Sequence, residues 1–425
     1  MAAELISRNG NTIEIKLTIE FGGSMLDSEE VIQREVNEVG KIASAELLGE
    51  FDTDGSDLKI GNVQYYSKGQ IEKNYKTPYG QIRIPRHVYQ TSSGGAIFCP
   101  LEQSARIVRS ATPKLAKLVS HKHSRMNTRE VQSDLKQNHN LPLTVEYIKE
   151  TTEFVAAIAQ LKEEDWDYNV PVQEEVINTI SLGLDGTCMY YIDDDKKGWR
   201  EAMAGTIALY NRAGERIHTT YFAATPEYGK EEFHCRMERE IKNIKSTYPI
   251  ATYIGLADGA PDNWSYLENF TSVQITDFWH AKEYLKSAGT VMFKDKLELN
   301  TWMDDRCHEL KHTKGASLAL LNEMINYVDQ HILSEEKLEK INKAITYFRN
   351  QSPRMNYSEY CSKGYPIGSG VTEAACKTII KQRLCKSGMK WKQKGAAAIL
   401  SLRCLDLSDR WGQFWKKINQ YGIAS

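Results

Sequence analysis

The stretch VINTISLGLDGTCMYYI, residues 176–192, is a long apolar run that only the triplet Asp185-Gly186-Thr187 interrupts. It predicts a strand, and two more strands joined by polar turns follow it. The predicted elements are strands at 176–192, 199–210 and 215–223, a helix at 230–245, a strand at 250–256, a short helix near 262–269 and a strand at 272–276. This order, βββαβαβ, favours a mixed sheet with helices packed on its faces.

The rest of the chain divides into segments of different periodicity. Residues 28–49 have the apolar spacing of an amphipathic helix, whereas residues 58–90 contain the short alternating runs of strands or hairpins. We expect an α/β protein with six segments. These are an N-terminal helical segment at 1–57, a small β module at 58–103, a helical segment at 104–165, the main sheet at 170–280, an all-helical insertion at 281–355 and a final helical part at 356–425.

Composition limits the class of protein. The chain has 425 residues, of which 41% are hydrophobic and 26% charged, as is usual for a globular protein of more than one domain. No apolar run has the length of a membrane span, and the N-terminus lacks the pattern of a signal peptide. The eight cysteines form no Cys-x-x-Cys pair, which favours reduced thiols in the cytoplasm. We therefore expect neither a membrane protein nor a secreted one.

Charge is distributed unevenly along the chain. The net charge is −2, but residues 374–425 carry eleven Lys or Arg against two Asp, and residues 104–142 carry eight against one Glu and one Asp. Two local basic surfaces on a nearly neutral chain are compatible with phosphate binding. Solvated charged faces without a partner are the simpler interpretation.

Three helices are predicted in and beside the second basic stretch, at 112–122, 128–137 and 144–160. Their lengths and basic connectors are similar to a helix-turn-helix bundle, in which the last helix enters the major groove of DNA. Arg125 and Arg129 are then candidates for DNA contact. A helical neck that only packs is the alternative, and the spacing fits both.

Three acidic residues occupy positions where a functional site is often found. Asp185 interrupts an apolar strand, where a carboxylate is costly unless it is paired, hydrogen-bonded or bound to a metal. Asp258 closes the predicted strand at 250–256, at the sheet edge where open α/β folds place ligand groups. Glu373 lies in the first turn of the helix after YPIGSG. Each has a simpler interpretation, as one of two Asp-Gly turns or as a helix-start acid favoured by the helix dipole.

The three acids together indicate more than each alone. An Asp on the first strand, an Asp after the fourth and a Glu on the helix after the fifth match a ribonuclease H-like fold with a two-metal carboxylate site. Two Mg²⁺ ions, roughly 3.5–4 Å apart and replaceable by Mn²⁺, suit such an oxygen-only site. We therefore predict Asp185, Asp258 and Glu373 as metal ligands.

Residues 170–417 resemble the DDE transposases of bacterial insertion sequences, in particular the ISKra-type group near the Mutator-like superfamily. The resemblance rests on seven blocks in order: GLDGT (183–187), GWREAMAGTI (198–207), GLADGAPDNW (255–264), DFWHAKEYL (277–285), YPIGSGVTEAACK (365–377), SGMKW (387–391) and LRCLDLSDRW (402–411). It implies that Asp185, Asp258 and Glu373 are the catalytic triad, with an all-helical insertion before the last acid. It also makes Asp277 and His280 the Asp-x-x-His element, with Asp277 beside the DNA. His280 would act with the triad by orienting a substrate phosphate, or it would be a structural histidine.

The basic helix after Glu373 is the second predicted DNA surface. Its candidates for contact with the scissile strand are Lys377, Lys381, Arg383, Lys386, Lys390, Trp391 and Lys392. Lys377 and Lys381 follow Glu373 at helical spacing, and the indole of Trp391 could stack on an unpaired base. For Trp411, Phe414 and Trp415 a core position is the preferred interpretation.

A second metal site has weak support. Relatives often carry paired cysteines where this chain has YQTSSGGAIFC at 89–99, with Cys99 alone, so we do not expect a zinc-stabilised N-terminal module. Asp304, His308 and His312 share one face of a predicted helix, with Cys307 beside them. Scattered residues on a solvated helix face are the preferred interpretation.

The function that these features imply is that of a DNA transposase. It would bind the terminal inverted repeats of its insertion sequence, hydrolyse a phosphodiester and join the freed 3′-hydroxyl to target DNA. Double-stranded DNA and a homodimer or higher oligomer on that DNA are the expected partners, and a bacterial, nucleoid-associated location in the cytoplasm is expected. Two alternatives stay open: a nuclease of the same fold that cuts without joining, and a domesticated DNA-binding protein without catalysis.

Overall fold

The computed structural model describes residues 3–163, 166–170, 173–193, 196–225 and 231–421. Asp194 and Asp195 of the predicted polar turn, and Lys230 at the predicted helix start, lie outside these residues. The chain forms two compact units, one of Met1–Tyr168 with Ser401–Ser425 and one of Asn169–Leu400. The sequence had grouped 401–425 with the preceding helices instead. No helix in the described part of the chain is long and apolar enough to cross a membrane.

The first unit begins with a hairpin that the sequence analysis missed. Strands β1 (Ala3–Asn9) and β2 (Thr12–Leu17) pair antiparallel and precede the long helix α1 (Met25–Gly49). The segment 1–57 is therefore not helical throughout. Two signals could have found the hairpin: TIEIKL alternates with period two, and Gly10-Asn11, the two residues between the paired Asn9 and Thr12, is a favoured turn pair.

The small β module is a four-stranded antiparallel sheet in sequence order. Its strands are β3 (Leu58–Ile60), β4 (Val63–Thr77), β5 (Gly80–Thr91) and β6 (Gly94–Phe98). Short helix α2 (Pro100–Ser104) follows, and its Leu101 packs with Tyr75 and Ile84 of the sheet in one buried cluster. Strands are thus confirmed where the alternating pattern predicted them.

Three helices follow at the predicted places. They are α3 (Pro113–Arg125), α4 (Thr128–His139) and α5 (Val145–Leu161). Asn127 and Glu130 form a capping box at the start of α4, and the Thr144 hydroxyl caps α5.

The second unit is a mixed α/β structure. Its five-stranded sheet comprises β7 (Ile177–Asp193), β8 (Lys196–Asn211), β9 (Arg216–Ala224), β10 (Thr252–Ala257) and β11 (Val273–Thr276). The spatial order is β11-β10-β7-β8-β9. Pairing is antiparallel from β7 to β9 and parallel from β7 through β10 to β11. Helices α6 (Glu231–Thr247) and α7 (Pro261–Leu267) connect the later strands, as predicted.

Two apolar cores cover the faces of this sheet. Ile254 and Leu256 of β10 belong to a core formed with the later helices, whereas Tyr253 and Ala257 belong to a core with α6 and α7. Alternate residues of one strand point to opposite faces, so β10 is buried on both sides.

The helical stretch predicted after residue 281 begins slightly earlier. It consists of α8 (Phe278–Met292), α9 (Lys296–His312), α10 (Ala316–Gln330) and α11 (Glu335–Gln351), followed by a 3₁₀ turn at Ser352–Arg354. Short helices α12 (Tyr357–Ser362) and α13 (Gly370–Ala375) come next, then a π-helical turn at Cys376–Lys381 and α14 (Gln382–Leu384).

The chain ends in α15 (Gln393–Leu407) and α16 (Trp411–Tyr421). In the first unit, the α15 residue Arg403 donates to the Ser124 carbonyl oxygen at 2.9 Å, and the Phe414 ring contacts Trp166. These contacts explain why residues 401–425 belong with the N-terminal part. Phe414 and Trp415 are buried, which confirms the core position predicted for them.

Candidate active site

Asp185 lies within the continuous strand β7. Its partner across the antiparallel ladder is Ala204 of β8, and the pairing continues past it on both sides. The interpretation of Asp185-Gly186 as a turn between two strands is therefore wrong. On the other edge of β7, parallel pairing with β10 ends at Leu256 and Gly183. Asp258 follows β10 directly, so both Asp residues stand at the same end of the sheet.

The pKa of the Asp185 carboxyl is raised above its ordinary value, chiefly by burial, and the nearby Asp258 carboxylate adds to the rise. Hydrogen bonds from the Cys376 thiol and from the Gly186 N–H, at 2.7 Å, oppose it, as does the charge of His280. Burial and the neighbouring Asp185 carboxylate also raise the pKa of the Cys376 thiol. The Asp258 carboxylate is therefore close enough to Asp185 to act on its charge.

Two side chains of helix α11 donate hydrogen bonds to the turn that carries Asp258. The Tyr347 hydroxyl donates to the Asp258 carbonyl oxygen at 2.7 Å, and the Gln351 amide donates to the Gly259 carbonyl oxygen at 3.1 Å. The Asp258 side chain accepts the N–H of Ala260 at 3.1 Å. The helical segment before Glu373 thus fixes the backbone of the second acid.

Glu373 is in the first turn of α13, as predicted, and about half of its side chain is exposed. Thr372, the preceding residue, is buried and makes a 2.8 Å hydrogen bond with Thr206 of β8. A Cβ at Gly183 would lie 2.1 Å from the Thr372 hydroxyl oxygen, so a glycine is required there for α13 to dock. The GLDGT block therefore has two roles. It contains the acid Asp185, and its Gly183 leaves room for the helix that carries Glu373 to pack on the sheet.

His280 reaches the same place from the start of α8. Its Nε2 lies 3.7 Å from Oε1 of Glu373, and its Nδ1 lies 4.0 Å from Glu283. The imidazole is about one-third exposed. It can therefore contact both the acid and a molecule bound beside it.

Asp277 is not a DNA contact, and that prediction is wrong. Its side chain is completely buried, and it caps α8 by accepting the N–H groups of Trp279 and His280. It also accepts the N–H of Ser369 at 2.6 Å, and the Ser369 hydroxyl donates to it as well. Its role lies inside the protein.

One cavity of about 830 Å³ brings the predicted site residues together. The three acids line it with His280, and Lys377 and Lys381 add positive charge. The wall residues are Leu184, Asp185, Gly186, Thr187, Asp258, His280, Ser369, Gly370, Glu373, Ala374, Cys376, Lys377, Lys381 and Gln382. Cys376 and Ser369 were not predicted, although both stand inside the block YPIGSGVTEAACK.

The donor chemistry of this cavity fits a hard divalent cation. Its three acids offer only oxygen, and the repulsion between Asp185 and Asp258 is of the kind that a cation relieves. Within the described residues, however, no three His, Cys, Asp or Glu side chains are close enough together to hold one metal ion. That result also covers Asp304, Cys307, His308 and His312.

Two of the residues predicted to contact DNA after Glu373 make contacts within the protein. Arg383 is completely buried, and its guanidinium lies over the Trp391 ring at 5.3 Å. The Trp391 indole donates to the Leu384 carbonyl oxygen at 2.8 Å, and the Trp391 carbonyl oxygen accepts the N–H of Ile192 at 2.9 Å. These contacts attach the segment after α14 to strand β7. The DNA contact predicted for Arg383 is wrong, because its side chain is buried, whereas that of the half-buried Trp391 stays a prediction. Lys377, Lys381, Lys386, Lys390 and Lys392 are exposed.

The predicted DNA contacts of the first unit lie on helices α3 and α4. Arg125 makes a two-point ion pair with Asp406, at 2.6 and 2.7 Å, although 56% of its side chain is exposed, and Arg129 is exposed as well. Their contacts with DNA stay predictions. Helix α5, expected to enter a major groove, has a buried apolar face, and its exposed residues include Glu146 and Glu153. Lys149 is exposed on α5 as well, so acidic residues only outnumber basic ones on its outer face.

The comparisons with known proteins add no relative: the chain matches no protein-family model, and no curated protein sequence is significantly similar to it.

Proposed function

We propose that this chain is a DDE-type DNA transposase with a ribonuclease H-like catalytic unit. The observation that carries the proposal is that Asp185, Asp258 and Glu373, far apart in the chain, line one cavity. The strand order β11-β10-β7-β8-β9, with its antiparallel and parallel halves, supports the fold assignment. The βββαβαβ succession and the helices between Asp258 and Glu373 agree with the resemblance described above.

The cavity suits phosphodiester chemistry. Asp185, Asp258 and Glu373 would hold Mg²⁺, in a site of two ions. When bound, Mg²⁺ would supply charge stabilisation and an activated water or 3′-hydroxyl. His280, beside Glu373, would orient a phosphate oxygen of the scissile strand. Lys377 and Lys381, on the same wall, would bind the phosphates on either side.

A basic surface beyond the cavity would hold the DNA. Lys386, Lys390 and Lys392 are exposed and continue the positive charge of the cavity wall along the chain. Contacts of this type position the backbone and do not read sequence. Arg129 in the first unit remains a proposed contact with a terminal repeat, and α5, with its exposed acids, is no longer proposed as the reading helix.

The test is a strand-transfer assay with the full-length protein. Labelled DNA from the flanks of the gene and a target plasmid would be incubated with Mg²⁺ or Mn²⁺. We expect joined product with the wild type and none with Asp185→Asn or Glu373→Gln. Glu359→Gln is a matched control, because Glu359 also lies in the first turn of a short helix with 48% of its side chain exposed but does not line the cavity.

Each outcome has a distinct meaning. Cleavage without joining would indicate a nuclease of the same fold. Binding without metal-dependent cleavage would indicate a DNA-binding protein that has no catalytic role. Joining by Glu373→Gln at the wild-type rate would show that the acid is assigned wrongly.

A further inference from the structure

We propose that Asp277 is a positioning residue that fixes the distances between Asp258, His280 and Glu373. It acts on Glu373 through the Ser369 hydroxyl. This inference rests on the proposed function, because it gives these residues a role in the same site. It is carried by one buried carboxylate that bonds to chain segments almost a hundred residues apart.

Asp277 contacts three segments that each lead to a site residue. Its backbone N–H donates to the carbonyl oxygen of Ala257, next to Asp258, at 2.9 Å. Its Oδ1 accepts the N–H groups of Trp279 and His280, which begin α8. Its Oδ2 accepts the N–H of Ser369, four residues before Glu373. A shift of Asp277 would therefore change the separation of all three.

The burial of this carboxylate shows how firmly it is bound. Asp277 has no exposed surface, and an unpaired buried carboxylate would be very costly. Three backbone N–H donors, at the start of α8 and from Ser369, satisfy it without any help from a side chain. The buried Asp277 carboxylate therefore has enough hydrogen-bond donors without the Ser369 hydroxyl.

The Ser369 hydroxyl is close to two carboxylates. It contacts Oδ2 of Asp277, and it lies 2.8 Å from Oε1 of Glu373. A hydroxyl has one proton and can donate to only one acceptor at a time. Because Asp277 keeps three backbone donors, this proton can bond to either carboxylate, and the bond from the Ser369 N–H to Asp277 keeps the hydroxyl beside Glu373. Ser369 is 6% exposed, so water does not readily replace it.

The substitution Asp277→Asn separates anchoring from helix capping. Asn is as good an N-cap as Asp, so its amide oxygen would still accept the N–H groups at the start of α8. Its NH₂ group would face the N–H of Ser369 and repel it. Asp295→Asn is the matched control, because Asp295 caps the next helix with bonds of 2.8 and 3.0 Å and does not line the cavity.

The experiment measures Mn²⁺ binding to the full-length protein by electron paramagnetic resonance, without DNA, and strand transfer in parallel. Residues that support a metal ligand typically change metal affinity or activity about 10–100-fold when removed. We expect Asp277→Asn and Ser369→Ala to weaken Mn²⁺ binding about 10-fold or more, and Ser369→Thr, which keeps the hydroxyl, to restore much of it. Hydrogen exchange of peptides covering 365–376 should become faster in Asp277→Asn alone.

Three results would overturn the inference. Wild-type Mn²⁺ affinity in Asp277→Asn, or an equal loss in Asp295→Asn, would show that Asp277 only caps a helix, and the proposed function would stand. A wild-type protein that neither binds Mn²⁺ nor joins DNA would overturn the proposed function and the inference with it.

Discussion

The hydroxyl oxygens of Thr206 and Thr372 lie 2.8 Å apart in the buried contact between strand β8 and helix α13. Thr372 precedes Glu373, and Thr206 is next to Gly183 in the register of the β7–β8 ladder. This hydrogen bond therefore fixes the last acid relative to the strand that carries the first. The geometry of the site depends on how α13 docks on the sheet, and this can be tested without DNA.

Replacing Gly183 by Ala should destabilise the protein. The new Cβ would lie 2.1 Å from the Thr372 hydroxyl oxygen and 3.2 Å from that of Thr206. Extra methyl groups in a packed place typically cost about 1–3 kcal/mol, so the melting temperature should fall by several degrees. Gly412→Ala, where a Cβ in helix α16 would meet nothing within 4 Å, should not lower it. Equal melting temperatures for Gly183→Ala and wild type would contradict the docking described here.

A double substitution tests the same contact more directly. Thr372→Ala removes the oxygen that the Gly183→Ala methyl would meet. The two substitutions should therefore destabilise less together than the sum of their separate effects, as close pairs do in double-mutant cycles. Strict additivity of the two melting-temperature changes would show that the residues do not touch.

Arg383 and Lys381 should respond differently although they are two residues apart. Lys381→Gln should reduce the dependence of DNA affinity on salt by about one phosphate contact and leave the melting temperature unchanged, because Lys381 is exposed on the cavity wall. Arg383→Gln should lower the melting temperature, because this buried guanidinium lies over Trp391. The measurements are DNA binding across a salt series and thermal unfolding. A normal melting temperature for Arg383→Gln would refute its structural role.

Tyr347→Phe should slow DNA cleavage without unfolding the protein. The variant loses the 2.7 Å hydrogen bond to the Asp258 carbonyl oxygen, and a net loss of about 1 kcal/mol of stability is expected for one such bond. A displaced acid is costly for catalysis, and we expect a drop of about 10-fold or more in the single-turnover cleavage rate. Tyr284→Phe is the control, because the Tyr284 ring stacks on Tyr347 at 3.8 Å and would remain in place. Equal rates for the two variants would argue against this role of the hydroxyl.

Acid should weaken the contact between α3 and the end of α15. Burial by itself raises the pKa of Asp406, but hydrogen bonds from His121 and Arg125 outweigh it and lower the pKa to about 2, below the ordinary value of 3.8. A lowered folded-state pKa stabilises the fold above pH 4, and this contribution is lost as the pH falls from about 4 to about 2. It is on the order of 2 kcal/mol.

The check compares Asp406→Asn with the wild type by urea unfolding at several pH values. The variant should be less stable at pH 5 and above, and the difference should shrink as the pH approaches 2. Asp409→Asn, at an exposed position nearby, is the control. A difference that is independent of pH would mean that the carboxylate charge does not contribute.

Local patterns predicted most of the elements around the site. The strand predicted at 199–210 is Lys196–Asn211, and the helix predicted at 230–245 is Glu231–Thr247 in its described part. Such agreement is expected, because buried strands and amphipathic helices each have a characteristic spacing of apolar residues along the sequence. The same reasoning missed β1 and β2, whose strongest signal is one turn dipeptide and six alternating residues.

The structure brings together those predicted acids that the chain order already arranges. Asp185 and Asp258 meet because one lies on β7 and the other directly follows its parallel neighbour β10. Residue type could not tell which charged side chains face outward. Arg383 and Lys381 have similar chemistry, yet one is buried and the other exposed, and only packing against Trp391 separates them.

The sequence by itself determined the order of the elements, the acids at the ends of strands and the basic character of the segment after Glu373. These properties are local, since they follow from hydrophobic periodicity, turn chemistry and charge. The tertiary structure decided that Asp277 is an internal anchor, that Thr372 requires Gly183, and that Arg125 pairs with Asp406. Each of these depends on two segments meeting after the chain folds, and side-chain contacts between distant segments are not encoded in the spacing of residues along either one.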